Sequence, residues 1–68
     1  MEIKTKEDVR AWLVEYFGGD TEAATIVLRN GIKHFQKVVE HSRNVAEVQD
    51  AKEKLNLTNE MLFMLNNN

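Results

Sequence analysis

From Val9 onward, apolar residues recur at Trp12, Leu13, Tyr16 and Phe17. That i, i+3, i+4, i+7, i+8 spacing places side chains on one face of an α-helix. Thr5, with Glu7 and Asp8 following, predicts its capped N-terminus. Gly18-Gly19 predicts its end, because glycine takes the left-handed cap conformation at little cost. A second stripe, Ala24, Leu28, Ile32, Phe35 and Val39, steps by four, four, three and four, and Val27 and Val38 widen it on one side. Its phase survives Asn30-Gly31 and predicts a single helix from about residue 21 to residue 42, capped by Asp20 or Thr21. Asn-Gly is also a good helix stop, so a break there is the rival reading. In a continuous helix, Gly31 costs about 1 kcal/mol relative to alanine, and it would let a neighbouring helix approach closely.

The third pattern is Val48, Ala51, Leu55, Thr58, Leu62 and Leu65, which alternates spacings of three and four like a heptad seam. Asn44 with Glu47 reads as a capping box, and Asp50 with Lys54 as an i,i+4 ion pair. Asn56, Thr58 and Asn59 are weak helix formers. A break near Asn56 would make Thr58 the cap of a short fourth helix, with Leu57 stapled onto Leu62; a continuous helix is the expectation. Short connections between three amphipathic helices predict an all-α, up-down-up bundle with a long C-terminal helix, one domain over residues 1–68. Trp12, Tyr16 and Phe17 should then meet Leu62 and Leu65.

Met61 to Leu65 are five apolar residues in a row, and successive helical residues turn about 100° apart. The run therefore cannot share one face. Leu57, Phe63 and Met64 point about 100–220° away from Leu62. A first helix of about 12 residues spans roughly 18 Å, against about 30 Å for the third, and cannot cover both sides of it. These three residues are the candidate interface with a protein partner or a second copy, a homodimer. The alternative is a frayed last turn, or a bend that tucks them into the core.

Composition narrows the picture. Hydrophobic residues make up 43% and charged residues 29% of the 68, too apolar for a disordered chain. With no cysteine, neither disulfides nor thiolate metal sites can staple so small a core, so stability must come from helix packing or association. No apolar run approaches the roughly 18 residues needed to span a bilayer, and Met1–Arg10 carries mixed charge unlike a secretory signal. No membrane partner and a soluble, cytoplasmic protein are the default expectations. On that basis the acceptor-like Asn56-Leu57-Thr58 is read as chance.

Catalytic chemistry finds little support. Ser42 is the only serine, and its neighbour His41 diverges from it on a helix. His34 and His41 lie seven apart, about 10 Å along the axis, and the residues three before them are Gly31 and Val38, so no Glu-x-x-His pattern is present. Gly18-Gly19 lacks the lysine of a phosphate loop. The expectation is no enzyme, no catalytic residue, no cofactor, no metal and no small-molecule substrate. Arg29, Lys33, Lys37 and His41 recur every four residues opposite the apolar stripe, and such a ridge could follow phosphates or an acidic partner. Ile26 also points outward beside it. Glu22 and Glu40 share that side, the net charge is −2, and a solvent face is the ordinary reading. One long helix also fits a helix-turn-helix poorly. The expected function is a small helical protein–protein interaction module, a regulator or inhibitor acting by surface occlusion and self-associating through its C-terminal helix. A nucleic-acid-associated accessory protein using the basic ridge is the alternative.

Overall fold

Capping chemistry sets where each helix begins. In the computed structural model, which describes residues 3–66, α1 spans Lys6–Phe17, α2 Thr21–His41 and α3 Val45–Asn66. There is no strand among the described residues. At the start of α1 the Asp8 N–H donates to Thr5 Oγ1 at 3.2 Å. Asp8 Oδ2 accepts the Thr5 and Lys4 N–H groups at 3.0 Å each. These backbone donors, Lys4 foremost and then Thr5, hold the Asp8 carboxyl below its ordinary range. Asp20 caps α2 by accepting the Ala23 N–H at 3.1 Å. Asn44 does the same for Glu47 at 3.2 Å. The reciprocal half of the Asn44 box differs from expectation: the Asn44 N–H donates to Ser42 Oγ at 3.2 Å. The lone serine thus serves the α2–α3 turn.

Both long helices are continuous. Asn30 and Gly31 lie inside α2, and Asn56, Thr58 and Asn59 inside α3. Thr58 is tolerated in the buried seam because its hydroxyl donates to the Lys54 carbonyl at 2.6 Å, one turn back. Lys54 and Asp50 pair at 2.9 Å on the exposed side, a contact of only a few tenths of a kcal/mol. At the other end of α1, Gly18 and Gly19 have φ of 58° and 85°. Their N–H groups reach the Val14 and Leu13 carbonyls at 3.1 and 3.2 Å.

The three helices form a bundle in which α2 and α3 make the main hairpin and α1 packs at one end of it. The central cluster joins Val9 of α1, Ala24 and Leu28 of α2, and Met61 and Leu65 of α3. Ile3, Trp12, Leu13, Phe17, Leu62 and Met64 pack around it. The Trp12 ring lies 5.0 Å from Phe17 and 6.5 Å from Tyr16 between centroids. Tyr16 departs from expectation: it is 66% exposed and lies outside the cluster. The buried line of α3 is Ala51, Thr58, Met61 and Leu65, while Val48, Leu55 and Leu62 are half-buried beside it. The α3 face is centred on Thr58 because α2 presents Gly31 there, whose missing methyl would lie 3.9 Å from Thr58 Cγ2. That is ordinary van der Waals distance, so the approach leaves room for one carbon.

The same substitution should act in opposite directions at two glycines. Gly31→Ala is expected to raise stability by about 1 kcal/mol, since it removes the helix-interior cost of glycine and meets Phe35 and Thr58 at 3.8 and 3.9 Å. Gly18→Ala has free space around it but a left-handed backbone, and is expected to lose about 1–2 kcal/mol. Urea unfolding of both variants checks the signs. Removing the Asp8 carboxylate tests the α1 cap. Because its folded pKa is depressed, its contribution is present above the unfolded value of about 3.9 and is lost as pH falls through the folded value. Thermal melts of wild type and Asp8→Asn should differ at neutral pH and converge on acidification; a constant difference at all pH values would contradict the capping account.

Candidate interaction surface

The Met61–Leu65 run distributes itself around α3 as its spacing requires. Met61 and Leu65 are buried, Leu62 and Met64 are half-buried against the cluster, and Phe63 is 65% exposed. Met64 and Leu65 line a shallow pocket with Lys6, Val9, Arg10 and Leu13 of α1 and Thr21 of α2. Met64 is therefore sheltered by the first helix. Leu57 lies one heptad earlier on the same side of α3 and is 41% exposed. The three candidate interface residues do not form one continuous patch. Leu57 and Met64 share a side, and Phe63 lies about 100° around the helix from Met64.

Phe63 instead borders a second shallow groove with Asn59, Leu62 and Asn66, all of them from α3. The residues of this groove lie on the side of α3 carrying Val48 and Leu55. Spacing flagged Phe63 but not the asparagines. Their signal was the seven-residue interval from Asn59 to Asn66.

On α2, Arg29, Lys33, Lys37 and His41 are all exposed along the outer side. Among the described residues Arg29, Lys33 and Lys37 have no ion-pair partner, and His41 stands 3.9 Å from the neighbouring Glu40 carboxylate. Ile26 is exposed as well. Lys37 and His41 share a shallow depression at the α2–α3 turn with His34, Val38, Ser42 and Glu47. No group of three His, Cys, Asp or Glu side chains is placed to hold a metal ion among the described residues. No helix among them is long and apolar enough to cross a membrane.

No protein family matches the chain, and no curated protein or solved structure matches it.

Met64 and Phe63 are neighbours with different surroundings, and truncation separates them. Met64→Ala is expected to cost about 1–2 kcal/mol, less than a fully buried methionine because the site is half-buried. Phe63→Ala is expected to stay within about 0.5 kcal/mol in dilute solution. Chemical denaturation of both variants checks this; equal losses would place Phe63 in the monomer core.

Proposed function

We propose that the protein is a small interaction module that works by laying α3 against another protein surface, as a regulator or inhibitor acting through occlusion. The observation that carries this reading is the exposure of large apolar side chains on α3. Leu57 and Phe63 stand open while Met64, which α1 reaches, does not. Apolar side chains of this size gain roughly 1.5–3 kcal/mol each on full burial, enough for two or three of them to anchor a modest complex. We assign the chain no enzymatic activity and no cofactor.

A second reading rests on the unpaired cations of α2. Successive members of the Arg29–Lys33–Lys37 series stand about 6 Å apart along the helix, a rise suited to a run of phosphates in a nucleic acid. Salt separates the two readings, since phosphate contacts weaken steeply as salt rises and apolar contacts do not.

Photo-cross-linking from Phe63 and from Lys33, each replaced in turn by a photoreactive residue, tests the assignment in extract of the source cells. Protein adducts from position 63 should persist in high salt. Excess unlabelled wild type should compete them away, and excess Phe63→Glu should not; that pattern supports docking through α3. Salt-sensitive nucleic-acid adducts from position 33 alone would overturn it in favour of the second reading.

A further inference from the structure

The side of α3 next to its buried seam carries a second heptad pattern. Val48, Leu55 and Leu62 are seven apart, and Val45, Lys52, Asn59 and Asn66 are seven apart. The two series interleave by three and four, as the a and d positions of a coiled coil do. This strip is rotated by about 90° from the line Ala51, Thr58 and Leu65 that faces α2. With its flank Gln49, Asn56 and Phe63, it takes up nearly half of the helix circumference over 22 residues.

Charge is distributed unevenly around α3. The strip and its flank carry a single charge, Lys52, whereas Glu47, Asp50, Glu53, Lys54 and Glu60 all fall on the rest of the helix. An ordinary solvent face shows the reverse, because long charged side chains favour water. Depletion of charge in favour of apolar and aromatic groups marks the centre of a protein interface. Val48, Leu55 and Leu62 are half-buried at the inner edge of the strip. Its outer part is open: Val45 is 74% exposed and Phe63, on the flank, 65%, and the groove at Asn59, Leu62 and Asn66 has no wall from α1 or α2.

We infer that this strip pairs with the same strip of a second copy, the two α3 helices running antiparallel about a two-fold axis near Leu55 and Asn56. The inference rests on reading α3 as the docking element and names its occupant. Antiparallel pairing sets Lys52 opposite Asn59 of the copy, Val48 opposite Leu62 and Phe63, and Val45 opposite Asn66. No like charges meet. A parallel pair would set Lys52 against Lys52 inside the contact, where repulsion is least screened. Antiparallel pairing also sends the two α1 helices, each packed beside Leu65, to opposite ends of the dimer. A contact about 33 Å long and one helix, about 10 Å, wide is smaller than the standard patch of about 800 Å² per partner. The dimer is therefore weak and concentration-dependent.

Sedimentation equilibrium from about 10 μM to about 1 mM, a range bracketing weak association, tests the pairing. The wild type should rise toward twice the monomer mass. Phe63→Glu should remain monomeric with an unchanged helical spectrum, and Val14→Glu, on the exposed side of α1, should associate as the wild type does. A wild type that stays monomeric throughout, or a Phe63→Glu variant that associates normally, would overturn self-pairing. Because α3 could still bind a different protein, the cross-linking test above stands apart from that result. The absence of native cysteine permits a check of direction. Under oxidation, the double variant Val45→Cys, Asn66→Cys should form cross-linked dimers through unlike positions, and Val45→Cys alone should not. Ready disulfide bridging between two copies of the single Val45→Cys variant would overturn the antiparallel arrangement.

Discussion

A 12-residue helix cannot shelter a hairpin made of helices of 21 and 22 residues. At 1.5 Å per residue, α1 reaches about 18 Å along partners more than about 30 Å long. Its contribution is consequently concentrated at one end, where Val9 meets Ala24, Leu28, Met61 and Leu65. Toward the α2–α3 turn only Ala51 is fully buried, and Phe35, Val38, Val39, Val48 and Leu55 are half-buried between two helices instead of three. The exposed Leu57 and the sheltered Met64, one heptad apart, show the same limit on neighbouring turns of one helix.

So small a core leaves the local terms with unusual weight. Among the described residues, two of the six buried apolar side chains are alanines, which contribute little area, and domains of this size are only marginally stable. The Thr5–Asp8 box, the Asp20 and Asn44 caps and the left-handed glycines at the end of α1 each act on the scale of about 1 kcal/mol. Together they compete with the packing terms as determinants of where the helices lie. Gly31 runs against this economy, since the space beside Phe35 and Thr58 would take a methyl group.

Much of this architecture was legible in the chain because periodicity and capping are local properties. The phase of Leu28, Ile32 and Phe35 carried α2 through Asn30-Gly31, and the i−4 hydrogen bond of Thr58 removed the apparent obstacle in α3. Spacing was less informative about depth. It could not say that Met61 would lie deeper than Leu62, or that Tyr16 would stay in water beside Trp12, because those outcomes depend on where α1 sits on the hairpin. The candidate surface was legible in the same partial way. Excess apolar residues near the C-terminus pointed to α3, but dividing Met64 from Phe63 and Leu57 required knowing the reach of α1. The basic ridge was fully legible, since four-residue spacing fixes a common outer side.

The central claim is that stability is concentrated at the α1 end of the hairpin and thins toward its turn. Native-state amide hydrogen exchange in dilute solution measures this residue by residue. Amides around Leu28 and Thr58 should exchange only through global unfolding. Those around Val38 and Val48 should exchange through local opening of lower free energy. Uniform protection along α2 and α3, or the greatest protection at the turn, would contradict that claim.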